Sequence, residues 1–209
     1  EPYLQAFHDL ESWIGQGAFS EGANDLSTEE AIALFTEGKA AMYLNGSWDI
    51  TLFQNEDRPE FQQEVGVIPF PSLRPGEARS LAGGYTIGIG LSSNMDELKK
   101  QAALELLQMF YTPEVQTRLV YEGLRVPSMK ITFDANETGP VFAQVIELME
   151  QSPSTFIPYD NQLSPEVTRT FLKVVEEMIG GRMDAAAALE EIQASSVRYW
   201  QLRRNAVIE

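Results

Sequence analysis

Cysteine is absent from the 209 residues, and histidine occurs once, as His8. The first absence excludes disulfides, thiolate nucleophiles and cysteine-bound zinc, and it leaves the compartment open. A lone imidazole in an amphipathic stretch, with nothing nearby to orient it as a base, gives no Ser-His-Asp triad. Basic residues are scarce too: 15 Lys and Arg stand against 31 Asp and Glu, a net charge of −16. Nucleic-acid phosphates and anionic membrane faces both need clustered Lys and Arg, so neither is expected as a partner. The acidic groups are scattered, which is the pattern of a solvated acidic surface. No apolar run approaches the roughly 18 residues that a membrane-spanning helix requires. Internal repeats and low-complexity linkers are missing as well.

The familiar cofactor motifs are also lacking. Gly38-Lys39 looks superficially like a phosphate loop, but Ala33 stands where the earlier glycine belongs and Ala40 where Ser or Thr belongs. A helix end at that point would repel phosphate. Gly83-Gly84 precedes a predicted strand, so it is no dinucleotide turn. No acidic loop has the spacing of a calcium site. No cofactor or metal is expected. Asn136-Glu137-Thr138 fits a glycosylation sequon, a pattern common by chance.

What is present is an ordinary globular balance, 44% hydrophobic and 22% charged, with enough apolar material for a sizeable core. The length suits one large domain or two small ones. Tyr3, Leu4, Phe7, Leu10, Trp13 and Ile14 predict an amphipathic helix ending at Gly15. Ser27 and Glu30 form a capping box for a helix closed by Gly38. Short strands are predicted at Ala40–Leu44, Val65–Ile68 and Tyr85–Leu91, with a polar helix or loop over 49–63. Asn94 or Asp96 opens a helix over 97–111, with Leu98, Ala102, Ala103, Leu106, Leu107 and Phe110 as its buried stripe. Thr112-Pro113 starts another that ends by Gly123. Helices follow over 140–151, from Ser164-Pro165 to Gly180-Gly181, and over 185–194 with Asp184 as cap. Strands alternating with helices argue for an α/β architecture.

The most informative stretch is FTEGKAAMYLNGSWDI, residues 35–50. A helix ends at Gly38-Lys39, an apolar segment follows, and a Gly46-Ser47 turn delivers Trp48. A flat aromatic on a loop after a strand can be a ligand platform, or it can be core or rim. Gly46 would let the backbone come close to whatever sits on the indole. This segment resembles the family 1 extracellular solute-binding proteins. Further segments are similar to that family in the same order: EVGVIPFPS (64–72), GGYTIGIGLSSN (83–94), GLRVPS (123–128) and the closing GGRMDAAAALEEIQ (180–193).

The resemblance implies a periplasmic-binding-protein-like (type II) α/β fold. It implies that residues 1–81 and 128–209 belong to the second, C-terminal lobe, and that 82–127 return to pack on a first lobe outside this chain. On that reading the chain is a fragment, roughly a C-terminal half, without the signal region. It implies a sugar or oligosaccharide ligand, permease subunits of an ABC importer as partners, no catalytic activity, and an extracytoplasmic place in the periplasm or lipid-anchored at the cell surface. Self-association of the fragment is a further expectation, through the apolar faces of 82–127.

Sugars present C–H faces to aromatic rings and hydroxyl edges to polar groups. Taken with that chemistry, the resemblance implies as binding residues Trp48 with Gly46, Ser47 and Asp49 on its turn, Gly83, Gly84 and Tyr85 at the expected lobe crossing, Arg125 in the 123–128 loop, and Tyr159 and Asp160 before the helix at 165. Each has a plainer alternative: Asp49 as a cap, the glycines as a tight turn, Tyr85 as sheet packing, Tyr159 and Asp160 as a capping loop. Trp13 and Trp200 sit on helical patterns and read as packing residues. Two rival functions remain. A glycoside hydrolase needs only two carboxyls about 5–9.5 Å apart, though no spacing singles out a pair. A sensor module could use the same fold without transport.

Overall fold

Side-chain oxygens cap several of the helix starts in this chain. In the computed structural model, residues 2–20, 22–54, 58–71, 80–83 and 88–208 are described, with Asp160 and 205–208 by backbone alone. The elements, in order, are helices α1 (Pro2–Gly15) and α2 (Thr28–Thr36), a 3-10 helix (Ser47–Phe53), α3 (Phe61–Glu64), strand β1 (Leu81–Ala82), α4 (Glu97–Phe110), α5 (Pro113–Gly123), α6 (Ala135–Thr138), α7 (Pro140–Gln151), strand β2 (Thr155–Phe156), α8 (Tyr159–Gln162), α9 (Pro165–Ile179) and α10 (Ala185–Ile208). A single 3-10 turn, Ala23–Asp25, precedes α2.

The predicted caps form. Ser27 Oγ accepts from Glu30 N, and Glu30 Oε2 accepts from Ser27 N at 2.7 Å, which completes the capping box. Asp96, not Asn94, caps α4 through Lys99 N. Thr112 caps α5 and Ser164 caps α9, each followed by proline in the first turn. Asp184 accepts from Ala187 N at the start of α10. Gly38, at φ 74, closes α2 in a left-handed turn that a β-carbon would disfavour.

The chain divides into two compact units, Glu1–Ala31 with Ile157–Glu209, and Ile32–Phe156. In the first, Phe7 of α1 packs with Val174 and Met178 of α9 and with Ala185 and Ala188 of α10. The small α10 residues let that helix come close. On α9, Val167, Val174 and Met178 are buried at 3% exposure or less, with Phe171 and Val175 half-buried beside them. In the second unit, Ile50, Phe61, Val65, Val120, Leu124, Val141 and Phe142 form the core, and Phe35, Phe53, Tyr121 and Phe133 pack around it. These cut points differ from the expected boundaries at 81/82 and 127/128. The expected boundaries concern packing on a first lobe outside this chain, on which contacts within the chain do not bear.

Several local expectations need correction. Ala40–Leu44 and Val65–Ile68 form no ladder among the described residues. The backbone of the second segment bonds a side chain instead: Gln144 of α7 donates to Val65 O and accepts from Val67 N at 2.9 Å. Of Tyr85–Leu91, residues 84–87 lie outside the described set and 88–91 are irregular. The only ladder described joins β1 and β2 in parallel, with Leu81 opposite Thr155 and Ala82 opposite Phe156. The helix expected over 185–194 continues to Ile208, because no glycine or proline interrupts it. The stripe of α4 is not buried: Ala103 and Leu107 are half-buried, while Leu98 (82%), Leu106 and Phe110 are exposed.

Candidate ligand site around Trp48

The 3-10 helix Ser47–Phe53 places one face in the core and the other in solvent. Ile50 is buried, and Phe53 packs edge-on to Phe35 at 5.9 Å. Two residues before Ile50, Trp48 is left 61% exposed. Its ring therefore owes its position to local contacts rather than to enclosure.

One contact bears on the ring itself, and two hold the backbone around it. Gly46 lies directly against the indole, and a β-carbon there would overlap the six-membered ring. The expected close approach is thus between Gly46 and Trp48 themselves. Gly46 N in turn donates to Asn45 Oδ1 at 2.8 Å, which fixes the turn. From 77 residues away, Arg125 Nη1 donates to Trp48 O at 3.0 Å. A guanidinium bond to a carbonyl is charge-assisted and stronger than a neutral one.

The loop carrying Arg125 is itself fixed at both ends. Leu124 ends α5 in the left-handed region, at φ 45 and ψ 40, and is 2% exposed. That conformation costs a branched residue about 1–2 kcal/mol, a cost that burial of the leucine side chain offsets. Arg125 N donates to Leu119 O, so the turn closes on the helix end. At the far end, the buried Gln116 accepts from Ser128 N at 2.7 Å and donates to Phe110 O.

Asp49 is half-buried and engaged: Tyr43 donates its hydroxyl to Asp49 Oδ2 at 2.6 Å, and Asn45 Nδ2 donates to the Tyr43 oxygen at 2.6 Å. Burial, and then the Asp49 carboxylate, raises the Tyr43 phenol, so it stays protonated and keeps donating. Tyr43 also stacks on Phe35 at 6.0 Å. Tyr43 and Asn45 escaped sequence reasoning, since no spacing marks a hydroxyl that bonds a carboxylate six residues on.

Trp48, Gly46, Ser47, Asp49 and Arg125 thus belong to one unit, and contacts join all but Ser47 directly. Gly83, in the same unit, donates its N–H to Phe156 O at 2.9 Å and prolongs the β1–β2 pairing. Gly84 and Tyr85 lie outside the described residues. Tyr159 belongs to the other unit, where its ring meets Tyr3 edge-on at 5.4 Å and Phe171 face-on at 6.4 Å. Asp160 is in α8 by its backbone. Trp13 is half-buried in α1; Trp200 is exposed on α10 beside Tyr199. His8 is exposed and faces Glu11 at 3.2 Å.

A known structure described as a chitin oligosaccharide binding protein has the same fold, with a TM-score of 0.83 and 27% sequence identity. The match covers 93% of this chain and 48% of that one, so the chain spans about half the length of its structural relative. The periplasmic-binding-protein-like α/β class expected from the sequence is therefore the fold. The profile of the bacterial extracellular solute-binding proteins matches residues 12–117, which include α2, the Trp48 turn and α4. On that match the chain belongs to the bacterial extracellular solute-binding protein family.

Proposed function

We propose that this chain supplies one wall of a carbohydrate-binding cleft in an extracytoplasmic substrate-binding protein, and that the protein delivers its ligand to the permease subunits of an ABC importer. The observation that carries the reading is the exposed indole of Trp48, resting on Gly46 at a turn whose backbone Arg125 holds. A preformed flat apolar surface beside polar groups suits the C–H face and hydroxyl rim of a pyranose ring. The similarity to a chitin oligosaccharide binding protein points to an oligosaccharide of N-acetylated sugars as the first ligand to try.

On this reading 82–127 pack on a first lobe. The exposed Leu98, Leu106, Met109 and Phe110 of α4 favour it, since apolar groups clustered on one helix normally have a cover. Without that lobe, self-association would serve as the cover. Binding rather than hydrolysis is favoured by the match to the solute-binding family and by the description of the structural neighbour as a binding protein.

The experiment is calorimetric titration of chito-oligosaccharides and malto-oligosaccharides into the full-length protein and its Trp48→Ala variant. The variant should bind about 1–3 kcal/mol more weakly while melting normally. Equal affinity in the two proteins, or turnover of the sugar, would overturn the proposal.

A further inference from the structure

Arg125 is exposed, basic and beside an aromatic platform, which invites the view that it touches ligand. Its contacts point elsewhere. Nη1 is committed to the carbonyl of Trp48. The backbone that delivers it is set before any ligand arrives: Leu124 is buried in a left-handed conformation, Arg125 N is bonded to Leu119 O, and Gln116 pins Ser128 three residues on. A backbone outlier held in place by burial on one side and a buried amide on the other marks a position where geometry matters.

At the other end of the bond, the Trp48 ring rests on Gly46 and its backbone runs in the 3-10 helix. The indole is mostly in solvent, so core packing does not fix it. Its backbone is secured on the C-terminal side by Ile50 and on the N-terminal side by the Gly46–Asn45 bond. The carbonyl of Trp48 itself lies between those anchors, and Arg125 is what grips it.

We infer that Arg125 is a positioning residue: it clamps the Trp48 carbonyl and thereby presets the indole for stacking on a sugar, without contacting the sugar. The inference rests on the carbohydrate-binding reading for its purpose, but the clamp can be read in the free protein. Among the described residues Arg125 engages one N–H, so a point-charge donor such as lysine should replace it. A guanidinium that recognised ligand through its planar fork would not be replaceable in that way.

The test follows the indole N–H resonances of Trp13, Trp48 and Trp200 in the free chain, with Trp48 assigned by its loss in Trp48→Phe. Arg125→Ala should shift and broaden the Trp48 resonance and leave the other two unchanged, with the melting temperature nearly constant. Arg125→Lys should restore it. In the full-length protein, affinity for a chito-oligosaccharide should fall about fivefold in Arg125→Ala, the scale of one exposed charge-assisted hydrogen bond, and recover in Arg125→Lys. A Trp48 resonance unmoved in Arg125→Ala overturns the clamp. Weak binding by both variants with the resonance unmoved assigns Arg125 to ligand contact instead. If wild type binds no sugar, the proposed function fails, while the free-chain resonances still decide whether Arg125 sets the indole.

Discussion

Replacing Gly46 by alanine separates the stability of the Trp48 turn from its proposed use. Gly46 has φ −108 and ψ 176, an extended conformation open to any residue, so alanine meets no backbone strain. The added methyl would nonetheless overlap the Trp48 ring, and the ring, being mostly in solvent, has room to swing away. Two stability terms then oppose each other. Alanine restricts the unfolded chain and stabilises by about 0.4–1 kcal/mol, while the displaced ring loses a contact of similar size. Net stability should change by less than about 1 kcal/mol. Binding should not be spared. An indole turned out of its preset position must be brought back by the ligand, and a cost of about 1.4 kcal/mol is tenfold in affinity. Denaturant titration of the variant, with calorimetry against a chito-oligosaccharide in the full-length protein, measures both numbers. Unchanged affinity would refute the reasoning, because the ring would then be unimportant or free to adjust. A loss of several kcal/mol in stability would refute it differently, by showing that the indole holds the fold.

Two further outcomes can be measured directly. Gln116→Leu leaves Phe110 O and Ser128 N without their partner in a half-buried place, and should destabilise by about 2 kcal/mol in urea unfolding. It should also disturb the Trp48 indole resonance through Arg125. The Glu30 carboxyl is held below its ordinary value of 4.5, first by Ser27 N and then by the Ser27 hydroxyl. A depressed folded value means the stabilisation is complete above the unfolded pKa and is lost as pH falls through the folded one. The melting difference between wild type and Glu30→Ala should therefore be constant near neutrality and shrink below pH 4.5; a constant difference down to pH 2 or so, beneath the reference carboxylate range, contradicts the capping-box role.

The helices were legible because each carries its own boundary marks. Ser27, Asp96, Thr112, Ser164 and Asp184 bond backbone N–H groups within three residues, a relation contained in a short window of sequence. Strands are pairings, and a partner cannot be read from the segment alone. Val65–Ile68 has the composition of a strand, but its backbone bonds the Gln144 side chain, 77 and 79 residues away. Ala40–Leu44 has the apolar composition of a strand, yet no described strand lies beside it. Composition marked Phe142 no more than its neighbours, though it lies at 0% exposure in the core. At the site, Trp48 and Gly46 were named from the turn they share. The Tyr43–Asp49 bond and the Arg125 clamp depend on how distant segments meet, which no local pattern encodes.

The construction of the Trp48 turn explains how an aromatic ring can be both exposed and fixed. Burial is the usual way to immobilise an indole, but a buried face cannot meet a ligand. Here the immobilising groups are backbone-directed. Ile50 and Phe53 anchor the 3-10 helix in a core of Phe35, Phe61, Val120 and Phe142. Tyr43 and Asn45 tie the approach to that helix through Asp49 and Gly46. Arg125 takes the carbonyl, and the absence of a side chain at Gly46 gives the ring a backbone surface to rest on. The entropy of ordering the turn is therefore met on folding, and the ring's outer face remains open. A ligand stacking there would gain contact without ordering the protein, which is the condition under which a small apolar surface binds best. The same logic makes the site sensitive to residues that never touch the ligand: the Arg125 and Gly46 substitutions should each move affinity through the position of one ring.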